Sequence, residues 1–157
     1  VSYGAKPPGN RSWRDIFLDE VKPKLTQEQL NRLYFLGTIP YKYFIDLLQI
    51  STVHVYLSYP FVLSWSLLES MACGCAIAAS ITAPVREVIT DGETGRLVDF
   101  FDYSAIATTI CEMLADERER QRLGANARRL VQAKYDLQTI CLPQQLQWLE
   151  ALVSPQH

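Results

Sequence analysis

The chain has 157 residues, 15 of them basic, 17 acidic and four cysteine. That length suits one domain, residues 1–157, able to bury a core without staples. The balanced charge leaves no electrostatic footprint for nucleic acid, and no apolar run approaches the roughly 20 residues of a membrane-spanning helix.

The chain starts at Val1 and opens on a loop-like run, Lys6-Pro7-Pro8-Gly9-Asn10, which has the look of an excised piece. No charged start with an apolar core marks a signal peptide. Ser12, with an acid three positions on, predicts a capped helix that stops before Pro23. Residues 26–30 add a helical turn. Residues 32–37 read as a short buried strand closed by Gly37, and residues 41–48 as a helix with Phe44, Leu47 and Leu48 on one face.

Residues 53–99 carry most of the information. An apolar strand at 53–58 is followed by a turn, a helix ending in Ala72-Cys73-Gly74, a second strand at 75–80, a loop with Pro84, and a strand at 96–100. Strands alternating with helices at this spacing make parallel βαβ units, with ligands expected at the carboxyl ends of the strands beside helix N-termini. Helices at 103–114, 117–134 and 143–153 complete the chain, their apolar residues recurring at three and four. The class is α/β, a Rossmann-like parallel sheet with flanking helices.

Glu69 has two readings from spacing. Ser66 and Glu69 form the S-x-x-E pattern of a capping box, which spacing alone puts first. Otherwise Glu69 is an acid after a strand-to-helix turn, placed to accept hydrogen bonds from ribose hydroxyls. The start of the same helix, with Ser64, Trp65 and Ser66, offers free N–H groups and a positive dipole end that suit a phosphate. No glycine-rich fingerprint accompanies it. Thr82 and Ala83 could bring amides to a diphosphate from the next loop, with Pro84 equally in place as part of a well-made helix start. Arg86 is read as facing solvent, with Glu87 left open. His54 is read as a core or edge histidine. Tyr41, Tyr43, Tyr56 and Tyr59 are read first as core aromatics and second as pocket lining.

Cys73-Gly74-Cys75 lacks the two-residue gap of a zinc knuckle, and Cys111 and Cys141 supply no matching pair, so no metal is expected. Free cysteines point to a reducing, cytoplasmic setting, with a peripheral place at the inner membrane surface left open.

Phe35-Leu36-Gly37, then VHVYLSYPFVLSWSLLESMACGC (53–75), TAPVREVI (82–89), DGETGRLV (91–98) and GANAR (124–128) resemble, in order, the C-terminal donor-binding half of retaining GT-B glycosyltransferases of group 1. The resemblance implies one half of a GT-B fold, N-terminally incomplete. It also implies a nucleotide-diphosphate sugar as substrate, no cofactor, and hexosyl transfer with retention to an acceptor glycan, lipid or small molecule, as in polysaccharide biosynthesis. Glu69 matches the second glutamate of the family's pair, which holds the ribose, and this lifts the ribose reading above the cap. The first glutamate, eight positions earlier, falls on Phe61. Ser64, Trp65, Ser66, Thr82 and Ala83 become phosphate and sugar candidates, and Ile39 and Pro40 candidates for the base. No residue is assigned to catalysis.

In the family an arginine and a lysine that neutralise the diphosphate lie on strands that would precede Val1. Each such charge-assisted bond contributes about 1.5–3 kcal/mol, so this chain alone is not expected to transfer sugar. Partners implied are the missing N-terminal domain and, through exposed or swapped strand edges, a second copy. Phe61 keeps a non-catalytic nucleotide-sugar-binding or regulatory module open as an alternative, beside a GT-B epimerase or phosphorylase.

Overall fold

The computed structural model describes Gly9 and residues 11–59 and 62–153, and the chain divides after Ile39 into two units. In the first, the Ser12 hydroxyl oxygen accepts the Asp15 N–H at 3.1 Å and starts α1 (Trp13–Val21), as the sequence predicts. Pro23 lies in the tight turn that follows α1, Lys22–Lys24. Helix α2 (Gln27–Leu30) carries a true capping box, in which Thr26 and Gln29 satisfy each other's backbone N–H groups.

Residues 32–37 do not form the expected strand. Strand backbone needs a neighbour for its N–H and C=O groups. Here the N–H groups of Arg32 and Leu33 turn back to the carbonyls of Gln29 and Leu30. Leu33, Tyr34, Phe35 and Leu36 are all exposed, and among its described residues this unit has no buried residue. Its apolar contacts are local. Trp13 stacks on Phe17 at 5.7 Å, and the Arg14 guanidinium lies 5.6 Å from the Phe35 ring centroid.

The second unit holds α3 (Tyr41–Ile50), β1 (His54–Tyr56), α4 (Trp65–Ala72), β2 (Ile77–Ser80), α5 (Ala83–Arg86), β3 (Arg96–Val98), α6 (Tyr103–Ala115), α7 (Glu117–Tyr135) and α8 (Leu142–Val153). The three strands are parallel in the order β1-β2-β3, with Tyr56 beside Ala79 and Ser80 beside Val98. Every residue of β2 is buried, which explains why it runs apolar from Ile77 to Ala79 before Ser80: a parallel strand covered on both faces does not alternate.

Alternate β2 side chains feed two cores. Ile77 and Ala79 pack with Leu48 of α3, Leu67 and Met71 of α4, and Ala127 and Val131 of α7. Ala76 and Ala78 face the other way, onto Met113 of α6 and Leu123 of α7. Leu67, Met71, Ile77, Met113 and Leu123 are wholly buried, each contributing about 1.5–3 kcal/mol. Helix α7 therefore serves both faces, and it can because Gly124 lies directly on Gly74: a Cβ at Gly124 would stand 2.1 Å from the Gly74 carbonyl oxygen. Gly74, at φ +77°, turns the chain out of α4 towards β2. Beside it, the Cys75 thiol donates to the Leu48 carbonyl at 3.1 Å, and burial pushes its pKa up to about 11.

Polar contacts fasten the periphery. Arg120 donates to the Met113 and Leu114 carbonyls at the end of α6, and Arg96 pairs with Glu112 and Glu119 at 3.4 and 3.2 Å. Asp136 caps a π-helical turn (Leu137–Cys141) that leads into α8, on which no residue is buried. Among the described residues no helix is long and apolar enough to cross a membrane.

Candidate functional site

At the carboxyl end of the sheet, β1 and β2 part after Tyr56 and Ala79, and side chains take over from the ladder. The Ser80 hydroxyl accepts the Ser58 N–H at 2.9 Å and donates to the Ser58 carbonyl at 2.8 Å. Further along, the Ser64 N–H donates to the Tyr56 hydroxyl at 3.2 Å, tying the start of α4 back to β1. Pro60 and Phe61 lie outside the described residues, and with them the departure from the first glutamate.

Helix α4 is capped by Ser64, whose hydroxyl oxygen accepts the Ser66 N–H at 3.3 Å and sits 2.9 Å from the Ser66 hydroxyl. The capping box expected from Ser66 and Glu69 is not formed. The helix begins two residues earlier than that pattern requires, so Ser66 is already inside the first turn and Glu69 lies a full turn from the cap. Trp65, the first helical residue, is 83% exposed.

Released from the cap, the Glu69 side chain lines a cleft of about 410 Å³ together with Tyr41, Ile45 and Gln49 of α3, Ala72 and Cys73 at the end of α4, and Arg128 of α7. Glu69 is its one acid and Arg128 its one cation. The nearby Glu69 carboxylate, with desolvation second, raises the Tyr41 phenol above its ordinary pKa. Burial raises the Cys73 thiol against the opposing pull of Arg128.

The other candidates fall as follows. Pro40 is the N-cap of α3, next to Tyr41, whereas Ile39 belongs to the first unit. Thr82 is the N-cap of α5, and its backbone carbonyl accepts the Arg86 N–H. Its hydroxyl caps nothing: Thr82 is 93% buried (7% exposed) and its Oγ1 has no hydrogen-bond partner. Ala83, Arg86 and Glu87 are exposed. Tyr59 forms an edge-to-face cluster with Phe100 and Phe101, at centroid distances of 6.0 and 5.9 Å, across the loops after β1 and β3. Tyr56 alone of the four tyrosines packs against the core. His54 is half-buried, and desolvation lowers its pKa. Among the described residues no group of three His, Cys, Asp or Glu is placed to hold a metal.

Gln49 and Arg128 escaped sequence reasoning. Tyr41, Ile45 and Gln49 stand at i, i+4 and i+8 on α3, a legible stripe. Arg128 is one turn beyond Gly124, and only the Gly74–Gly124 contact reveals that this turn overlooks the end of α4.

A family model described as glycosyl transferases group 1 matches residues 18–130. An uncharacterized glycosyltransferase of Methanocaldococcus jannaschii is 30% identical over 115 residues, covering 72% of this chain and 29% of that protein. Sucrose-phosphate synthase from Thermosynechococcus elongatus superposes with a TM-score of 0.75 at 28% identity, over 97% of this chain and 38% of that one. Anabaena HepE, solved in complex with UDP-glucose, gives 0.73 at 20% identity, over 90% of this chain and 38% of its own. The chain thus spans between about a quarter and two fifths of the length of these three proteins.

Proposed function

This chain belongs to the group 1 glycosyl transferases, and on that premise we propose that it holds the nucleotide-sugar donor for retaining transfer of a hexose to a glycan, lipid or small-molecule acceptor. The observation that carries the reading is Glu69, a carboxylate freed from helix capping and facing a cleft large enough for a nucleoside. Glu69 accepts hydrogen bonds from the two ribose hydroxyls. The first turn of α4, with the Ser64 and Ser66 hydroxyls and Trp65 beside them, receives the diphosphate and sugar, its amides and dipole taking the electrostatic role that a metal plays elsewhere. Thr82 and Ala83 supply a second polar contact, for which the orphaned Thr82 hydroxyl is suited. Pro40 borders the base. Transfer itself requires the acceptor and further protein.

The test is calorimetric titration with UDP, GDP and ADP, with Glu69→Ala alongside. Saturable binding of one of them, weakened about tenfold by the substitution, is the expected result. No saturable binding of any of the three at millimolar concentration overturns the reading. Phe61, standing where the family has a glutamate, favours a second reading, a domain that binds nucleotide sugar without turnover. Binding of the intact sugar nucleotide, with no sugar released or transferred in the presence of an acceptor, would select it.

A further inference from the structure

The loops after β1 and β3 leave the parallel sheet at the same end, and the aromatic side chains they carry meet there without entering a core. Tyr59, Phe100 and Phe101 stand edge to face, with ring centroids 5.0–6.0 Å apart and ring planes at 71–84° to one another. Three planes so inclined make a corner. Phe100 is half-buried in it, whereas Tyr59 and Phe101 are 62% and 63% exposed. The turn that carries the two phenylalanines is fixed by its own carboxylates: Asp99 Oδ1 accepts the Phe101 N–H at 2.7 Å, and Asp102 Oδ1 accepts the Ala105 N–H at 2.8 Å. Among the described residues the second oxygen of each aspartate and the Tyr59 hydroxyl have no partner, and neither aspartate joins an ion pair.

We propose that the corner of Tyr59, Phe100 and Phe101, flanked by Asp99 and Asp102, binds a neutral sugar ring of the acceptor. Its assignment to the acceptor rests on the donor-site reading above, and it narrows that acceptor to one that presents a sugar. Exposed apolar surface held in a fixed array marks a binding surface, and the chemistry of this one selects the occupant. A pyranose carries C–H groups on its faces and hydroxyls around its rim. The weakly positive C–H groups pack on the negative faces of Tyr59 and Phe101, and the rim hydroxyls donate to the second oxygens of Asp99 and Asp102 in charge-assisted hydrogen bonds. With Oδ1 of each aspartate already held by the backbone, the carboxylates lose little freedom on binding. An anionic ligand is repelled by two carboxylates that no cation offsets, and an apolar protein surface would bury them unpaired. A neutral polyol suits both halves of the corner. Tyr59 precedes Ser64, the cap of α4, by five residues, so the corner shares one end of the sheet with the position read above for the diphosphate and donor sugar.

The deciding experiment is a saturation-transfer NMR titration of this chain with maltotriose, cellotriose and mannotriose, with trigalacturonic acid as the anionic control and UDP, GDP and ADP titrated in parallel. The variants are Phe101→Ala and Asp99→Asn, the second of which keeps an acceptor for the Phe101 N–H, and each is checked by its melting temperature. At least one neutral trisaccharide should bind saturably in the millimolar range. Phe101→Ala should weaken it about fivefold and Asp99→Asn about threefold, with nucleotide binding unchanged within about twofold. No saturable binding of any neutral trisaccharide at about 20 mM, equal binding of trigalacturonate, or undiminished binding by Phe101→Ala would each overturn the proposal. Self-association of the chain that Phe101→Ala abolishes, with no sugar bound, would overturn it in favour of a second copy. If a trisaccharide binds and no nucleotide does, the sugar site stands and the donor reading falls, taking the acceptor role with it; nucleotide binding without trisaccharide binding leaves the donor reading intact and removes the corner.

Discussion

The two ends of α4 are built on opposite plans. Its C-terminal end is closed at the backbone, although Ala72 and Cys73 also line the Glu69 cleft: the Cys73 and Gly74 amides return to the Glu69 and Met71 carbonyls, and Gly124 presses on Gly74 with no room for a methyl group. Its N-terminal end is open, with two serine hydroxyls side by side, Trp65 in solvent and Thr82 orphaned in the next loop. The closed end fixes where the helix lies; at the open end the two serine hydroxyls satisfy each other, and of the groups named only the Thr82 hydroxyl is left without a partner. That division is typical of ligand sites carried on a rigid scaffold.

The largest expected effect tests the closed end. Gly124→Ala drives a methyl group into backbone that cannot rotate away, so stability should fall by about 3 kcal/mol or more, read as a lower urea midpoint. A midpoint unchanged within error would show that α7 can lift off α4 freely, and the contrast would dissolve. A smaller effect is expected from Ser64→Ala, about 1 kcal/mol from the lost cap, together with weaker nucleoside diphosphate binding. Loss of stability with binding intact would make Ser64 a cap and nothing more. Thr82→Val should change least. It removes a buried hydroxyl that has no partner, so the melting temperature should hold or rise slightly, while nucleotide affinity falls. A clear drop in melting temperature would mean that the hydroxyl is already satisfied in the free protein.

These contrasts were unequally legible in the sequence. The three parallel strands and the helices between them were readable because β2 is apolar up to Ser80 and glycine and proline punctuate the turns. Residues 32–37 misled for the same reason: their composition is that of a strand, but composition does not provide a neighbour, and none is present among the described residues of their unit. Ser66 misled through a spacing match, when the real capping box lay at Thr26 and Gln29. The cap on α4 depended on where the chain leaves β1, which the tie from Ser64 to Tyr56 decides. Arg128 was illegible because it enters the cleft only through a contact between helices distant in sequence.

The bridge from Ser80 to Ser58 bears on how this sheet opens. At Ser80 the main chain pairs with Val98 on one side, while the side chain alone satisfies both backbone groups of Ser58 on the other. One hydroxyl thus stands in for a whole rung, as a spacer does between diverging beams. It lets the two strands part with both Ser58 backbone groups satisfied. Ser80→Ala would leave a part-buried donor and acceptor on Ser58 without their side-chain partner, so water or a rearranged strand would have to serve them. The fork in this sheet is therefore not merely where the pairing stops; a side chain bridges it.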